Sequence, residues 1–309
     1  MQPSAVTNTT NLTASPSQFY TWQNYRCTYE IHQPTNTTSE GIPLLLIHPI
    51  GVGLSRQFWQ RFCHEWYNSG QRNSIYNPDL LGCGESDMPH LAYTPSDWAE
   101  QLQYFLQTVV RQPVIVVVQG ALLPVAIALV QKESNLISRL VLSGPPTWAL
   151  MTNKPPEWQQ KFIWNVLDSP LGIPFYRYAR TPKFLRSFST RQLFASESAV
   201  DAEWLNTLVA GAENPASRHA VFSFLAGFWR QDYTNFMASI QQPTLAVVGE
   251  TASSISQNNK KETPDDRLAN YLACFPQSRG IKINGRNVLP YESTAEFVAA
   301  IAPFINEVS

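Results

Sequence analysis

The sequence predicts an α/β fold: a mostly parallel central sheet flanked by helices, with a helical insertion between two of its strands. Two observations lead there. From Pro43 onward, short apolar runs alternate with amphipathic stretches, the pattern of strands joined by helices on both sheet faces. That rhythm stops between Pro145 and Ala238, where no strand pattern appears and aromatic residues crowd in.

Taken in order, Phe19–Gln33 reads as an antiparallel hairpin at the sheet edge. The strand runs are Pro43–Ile50, Ser74–Asp79, Pro113–Gly120, Ile137–Ser143, Pro243–Gly249 and Gly280–Asn284. The IVVV at 115–118 has no polar member, which fits a strand buried on both faces. Helices are expected over Ser55–Ser69, Thr94–Val110, Ala121–Lys132, Thr263–Cys274 and Ser293–Asn306. Ser55 is placed to cap the first, and Ser293 with Glu296 has the spacing of a capping box.

The stretch 145–238 holds 17 of the chain's 37 aromatic residues, among them Trp148, Trp158, Trp164, Trp204 and Trp229. An insertion between parallel strands must sit over one end of the sheet. Ligands of open α/β sheets bind at the strand C-terminal ends, so a lid over that end is expected. The chain then divides into a flexible tail (1–18), a core (19–144 and 239–309) and a lid (145–238), with no internal repeat.

Composition narrows the function classes. A chain of 309 residues, 44% hydrophobic and 15% charged, can bury a large core and is not a disordered sequence. A net charge of -1 gives no reason to expect nucleic acid or an anionic membrane as partner. Cys27, Cys63, Cys83 and Cys274 are scattered without a CxxC pair and read as reduced thiols. Residues 1–18 lack a basic start and an apolar core, and the N-x-T sequons at Asn8, Asn11 and Asn36 mean little without a signal peptide. No apolar run approaches the roughly 20 residues of a membrane helix, so a cytoplasmic protein with no membrane span is the default. There is no HExxH, no GxxxxGK[ST] and no GxGxxG after a strand, and Gly51-x-Gly53 is too short for a dinucleotide site. No metal or cofactor is expected.

Three segments together resemble the α/β-hydrolase superfamily. LLLIHPIGVGLSRQFW (44–59) is similar to its strand and HG loop, and VIVVVQGALLPVAIAL (114–129) lies where its nucleophile elbow stands. NPDLLGCGESDMP (77–89) matches D-x-x-G-x-G-x-S-x-x-P through Asp79, Gly82, Gly84, Ser86 and Pro89. The wording HPIGVGLSRQFW also resembles a cyanobacterial subgroup of that fold. The resemblance implies a serine in G-x-S-x-G, with an acid and a histidine later in the chain.

That triad is not spelled out. The elbow reads Val118–Gln119–Gly120–Ala121–Leu122, so the nucleophile position falls on Gly120, or on Ala121 with a one-residue slip. Neither carries a hydroxyl, thiol or carboxylate. Glycine there either relieves backbone strain or makes room for a ligand. The acid position after the run at 243–249 falls on Ala252, with Glu250 as a substitute; the other site sometimes used, after Ser143, has no acid. The five histidines are His32, His48, His64, His90 and His219, and none follows the run at 280–284. Arg286 stands where the histidine is expected, and arginine is no base at neutral pH.

The resemblance still places oxyanion-hole amides at Ile50 and Ala121. Further pocket candidates are His48, Gln119, Ser143, Trp148 and Arg286. Each has an ordinary alternative: loop bonding for His48, an ion pair with Glu292 for Arg286, the lid's own core for Trp148. Two functions stay open. One is a non-catalytic binder of a small apolar or carbonyl-bearing ligand, or of a protein partner. The other is an esterase-like hydrolase or a lyase using Ser143, Cys83, Glu250 or His48. A purely structural scaffold would need an exposed apolar patch.

Overall fold

The computed structural model describes residues 16–34, 38–254 and 262–307. Most of the expected tail, and the sequons at Asn8, Asn11 and Asn36, lie outside the described residues.

The strands are β1 (Gln18–Trp22), β2 (Tyr25–His32), β3 (Leu44–Ile47), β4 (Ile75–Pro78), β5 (Val114–Gln119), β6 (Ile137–Ser143), β7 (Thr244–Gly249) and β8 (Ser278–Ile283). They form one sheet in the order β1-β2-β4-β3-β5-β6-β7-β8. The β1–β2 hairpin joins the edge antiparallel through β4, and every pairing from β4 to β8 is parallel. The run expected at Gly280–Asn284 is the end of a longer strand. β8 starts at Ser278, and because it is an edge strand its middle is exposed and polar, which hid its beginning.

Core helices are α1 (Gln60–Asn68), α2 (Pro95–Phe105), α3 (Leu123–Glu133), α11 (Pro264–Cys274), α12 (Leu289–Glu292) and α13 (Thr294–Ile305), the numbers in between belonging to helices of the insertion. β5 explains the all-apolar IVVV. Val114, Val116 and Val118 pack with Trp98, Leu102 and Leu129 of α2 and α3, whereas Ile115 and Val117 pack with Phe62, Trp66 and Phe297 of α1 and α13. Alternate side chains point to opposite faces, and both faces are covered.

Two expected details change. The helix over Ser55–Ser69 begins as a 3₁₀ turn at Arg56–Trp59, with Ser55 Oγ accepting from the Gln57 N–H at 3.3 Å. Ser293 forms no capping box, because the Glu296 carboxylate instead accepts from the Asn284 N–H at 3.1 Å. Capping boxes occur at Thr94/Asp97 and Thr263/Asp266, each followed by proline, which cannot donate at a helix start in any case.

Between β6 and β7 the chain makes α4 (Trp148–Thr152), α5 (Glu157–Asp168), α6 (Gly172–Ala179), α7 (Pro182–Phe188), α8 (Ala202–Gly211), α9 (Arg218–Ala226) and α10 (Thr234–Ser239). The insertion is helical, as its composition predicts, and its outer face exposes Trp158, Phe162 and Leu171. No described helix is long and apolar enough to cross a membrane.

The segment 77–89 is held by a buried ionic knot. The Asp79 carboxylate accepts from the backbone N–H of Arg56 and of Glu85, each at 2.8 Å, and pairs with the Arg56 guanidinium. Arg56 also bonds Glu30 of β2 at 2.9 Å. Burial alone would lower the guanidinium's pKa, but the surrounding carboxylates outweigh it and hold Arg56 charged. Ser86 Oγ donates to the Asp79 carbonyl at 3.0 Å and accepts from the Thr28 N–H at 2.9 Å. Gly84 turns at φ +57°, and a Cβ there would lie 2.2 Å from the Asp79 carboxylate. Gly70 has φ +83° but open space around it. Gly70→Ala is therefore expected to cost about 1 kcal/mol, from backbone conformation alone. Gly84→Ala adds overpacking against the knot, for about 2–5 kcal/mol in total. Urea unfolding of both variants checks this; equal losses would mean that the knot yields freely.

Candidate active-site region

The turn after β5 has one left-handed residue. Gly120 has φ +61° and opens a 3₁₀ turn, Gly120–Leu122, that runs into α3. The left-handed residue is Gly120, not Ala121. A Cβ built on Gly120 would meet nothing nearer than the Gly144 carbonyl at 4.0 Å, so the space for a side chain is present and empty of protein atoms. Gly120 and Ala121 line a cavity of about 250 Å³ between the strand C-terminal ends and the insertion, with Ile50 beside them. Ile50 and Ala121, the two oxyanion-hole candidates, are thus brought together with the elbow. From the insertion, Phe184, Phe188, Trp204, Leu208 and Trp229 complete an apolar wall.

Beneath the elbow runs a neutral hydrogen-bond chain. Ser143 Oγ donates to Gln119 Oε1 at 2.7 Å, and Gln119 Nε2 donates to the Asn287 carbonyl at 2.7 Å. Gln119 is buried and lines the cavity, as expected of a polar anchor, but both ends of its amide are engaged by protein. Ser143 is wholly buried and off the cavity lining.

The loop after β8 carries Arg286 where the resemblance puts a histidine. Its guanidinium points elsewhere: Nε donates to Ser253 Oγ at 2.8 Å and Nη1 to the Arg191 carbonyl at 2.6 Å. Glu292 accepts from the Arg286 backbone N–H at 2.8 Å and from Ala195 N–H, so neither the ligand-facing guanidinium nor the side-chain ion pair with Glu292 is found. Arg286 instead straps the insertion to the core. Asn287, its neighbour, is the residue of that loop that reaches the lining, together with Val288. At the acid position Ala252 is buried, and Ser253 and Ser254 line the cavity.

The remaining candidates lie away from the cavity. His48 is fully buried; its Nε2 accepts from the Leu80 N–H at 3.1 Å, which leaves Nδ1 to donate to the Pro49 carbonyl at 2.8 Å. Burial holds the imidazole below its ordinary pKa, consistent with this neutral tautomer. Cys83 is buried within the 77–89 loop, and burial pushes its thiol up. Glu250 is exposed. Trp148 stands edge-on to Tyr271 rather than facing the cavity, because α4 turns that ring against α11 while Thr147 and Leu150 reach the lining.

Sequence reasoning missed several lining residues, among them Phe184, Phe188, Leu208, Asn287 and the charged residue of the described lining, Arg267. Arg267 sits on the buried face of α11 with Tyr271, four residues on. It is 1% exposed. Its Nε donates to Glu262 at 2.9 Å and Nη1 to the Pro145 carbonyl at 3.3 Å, while Nη2 is buried with no hydrogen-bond partner. The signal was an arginine in phase with an aromatic on an amphipathic helix, a weak one because arginine stems often cover apolar surface.

Comparison with known proteins agrees with this architecture. The model of the alpha/beta hydrolase family matches residues 44–301. Similar solved structures include a thermophilic esterase from Thermogutta terrifontis, at 17% identity and TM-score 0.71, covering 94% of this chain and 98% of that one. A serine hydrolase involved in carbazole degradation matches at 18% identity and TM-score 0.72, covering 94% and 99%. A bromoperoxidase from Bacillus anthracis matches at 16% and 0.72, covering 94% and 100%. No curated protein sequence matches the chain. At these identities the structures speak for the fold alone, whereas the family match spans most of the sequence: the chain belongs to the alpha/beta hydrolase family.

Proposed function

We propose that this protein binds, without turning it over, a small apolar ligand bearing one oxygen acceptor, in the cavity beneath the insertion, which serves as its lid. One observation carries the proposal. Among the described residues lining the cavity there is no histidine, aspartate, glutamate, cysteine or lysine, and Gly120 stands at the elbow. Serine and threonine hydroxyls are present, but a hydroxyl is a weak nucleophile unless a base takes its proton. An esterase-like or lyase reaction through Ser143, Cys83, Glu250 or His48 lacks support, since none of the four lines the cavity. With a triad removed, binding and an oxyanion hole leave only about 10³–10⁴-fold acceleration over water.

The ligand's chemistry follows from the walls. Aliphatic and aromatic side chains dominate, so the body of the ligand is apolar. Arg267 is the charged residue of the described lining, and its Nη2 has no partner. A carbonyl or, better, a carboxylate oxygen would satisfy it through a charge-assisted bond.

Two outcomes are expected. Neither the native protein nor Gly120→Ser should hydrolyse p-nitrophenyl acetate or butyrate above the rate of buffer. Native turnover that a serine-directed phosphonate abolishes would refute the non-catalytic assignment. In calorimetric titrations, dodecanoic acid should bind more tightly than 1-dodecanol. Arg267→Lys and Arg267→Leu should weaken the acid about tenfold or more while changing the alcohol little, with circular dichroism confirming the fold. Equal losses for acid and alcohol would remove Arg267 from the recognition.

A further inference from the structure

Away from this cavity, three side chains from separate parts of the chain converge on one point. His90 lies in the loop after Pro89, Asp168 ends α5, and His219 stands in the first turn of α9. One ligand-type atom of each lies within 4.8 Å of the others. Asp168 Oδ1 is 2.7 Å from His90 Nε2 and 3.5 Å from His219 Nδ1. The two imidazoles stack with centroids 4.2 Å apart and planes 25° from parallel. His90 is exposed, Asp168 half-buried and His219 buried.

As a purely hydrogen-bonded cluster this arrangement is incomplete. Asp168 Oδ1 takes a bond from His90, yet His219 Nδ1 is buried and has no hydrogen-bond partner. Burying such a nitrogen unpaired is unfavourable by about 1–3 kcal/mol. A cation would engage all three atoms at once. With zinc–ligand bonds of about 2.0–2.2 Å, tetrahedral ligands stand about 3.3–3.5 Å apart. Of the two separations, 3.5 Å meets that spacing and 2.7 Å falls short of it, so seating an ion requires Asp168 to draw back from His90 and the stacked imidazoles to turn their nitrogens toward a common point. Two imidazoles and a carboxylate are a borderline N,N,O set suited to zinc, and the exposed side beside His90 leaves a fourth position for water.

We propose that His90, Asp168 and His219 form a zinc site that clasps the insertion to the core. The frame around it is fixed on both sides. Ser223 Oγ, one turn along α9, donates to the His219 carbonyl at 2.7 Å and accepts from the Tyr93 N–H at 2.9 Å. Tyr93 OH in turn donates to the Pro89 carbonyl at 2.7 Å, next to His90. The core loop and α9 are therefore registered before any ion arrives. This site is independent of the ligand proposed for the cavity, and either can fail alone.

The test uses the untagged full-length chain, stripped with EDTA and desalted, then titrated with zinc chloride against a chromogenic chelator. One zinc per chain should bind with a micromolar or tighter Kd, and zinc should raise the melting temperature. His90→Ala, at an exposed position, and Asp168→Asn should each weaken zinc at least tenfold and abolish the thermal shift, with unchanged circular dichroism. Cobalt(II) in place of zinc should give the visible bands of a four-coordinate site in the native protein only. Absence of saturable binding, or binding undiminished in His90→Ala, would overturn the proposal.

Discussion

The bond from Gln119 to the carbonyl of Asn287, with Ser143 behind it, sets the character of the region beneath the elbow. It ties together the ends of β5 and β6 and the loop after β8. In a working hydrolase of this fold, the corresponding strand ends must present a nucleophile, a base and an acid to one another. Here an uncharged amide joins them, donating at one end and accepting at the other. The Ser143 hydroxyl and both ends of the Gln119 amide find their partners inside the protein, so this relay is satisfied by protein groups alone.

Buried charge has not vanished from the molecule; it is concentrated elsewhere. Arg56, Asp79 and Glu30 form a closed ionic knot under the 77–89 loop, and His48 fixes the adjacent loop with both ring nitrogens. Breaking such a knot is costly because it strands a charge in a low-dielectric interior. The loops that frame the cavity are thereby held by groups that never reach it. The charged groups of this scaffold and the residues of the cavity lining are largely separate sets. Arg267 is the exception, a charge that touches both its partner Glu262 and the cavity wall.

Most of the fold was legible because its signals are local. Alternating apolar runs and a specific loop motif depend on residues close together in sequence, and β5 declared its double burial in four consecutive apolar residues. What escaped depends on contacts across the chain. Arg286 could be recognised as a non-base, but not as a strap on the Arg191 carbonyl of the insertion. Trp148 and Trp204 look alike in sequence; only the direction of their helices sends one against Tyr271 and the other to the cavity. The capping box at Ser293 failed because Glu296 had a competing donor from the neighbouring loop. The His90, Asp168 and His219 cluster has no local spacing at all, since its members meet only through the packing of α5 and α9 against a core loop.

At the elbow, backbone conformation and crowding by protein atoms can be told apart as reasons for glycine, while the open space there is compatible with both strain relief and room for a ligand. Where glycine is demanded by contact, the demand is visible: a Cβ on Gly53 would lie 1.9 Å from the Leu208 carbonyl, and one on Gly144 would lie 2.7 Å from the Asn287 carbonyl. At Gly120 the nearest atom is 4.0 Å away. Its glycine is thus called for by conformation and not by crowding, because φ +61° is a region that residues with a Cβ occupy only under strain. The turn places a left-handed residue at the end of β5, and glycine adopts that conformation without strain. A side chain of serine size would protrude into a cavity that already closes over apolar groups, and it would find no base among the described lining residues. The elbow joins β5 to α3 and places Ala121 in the same cavity lining as Ile50.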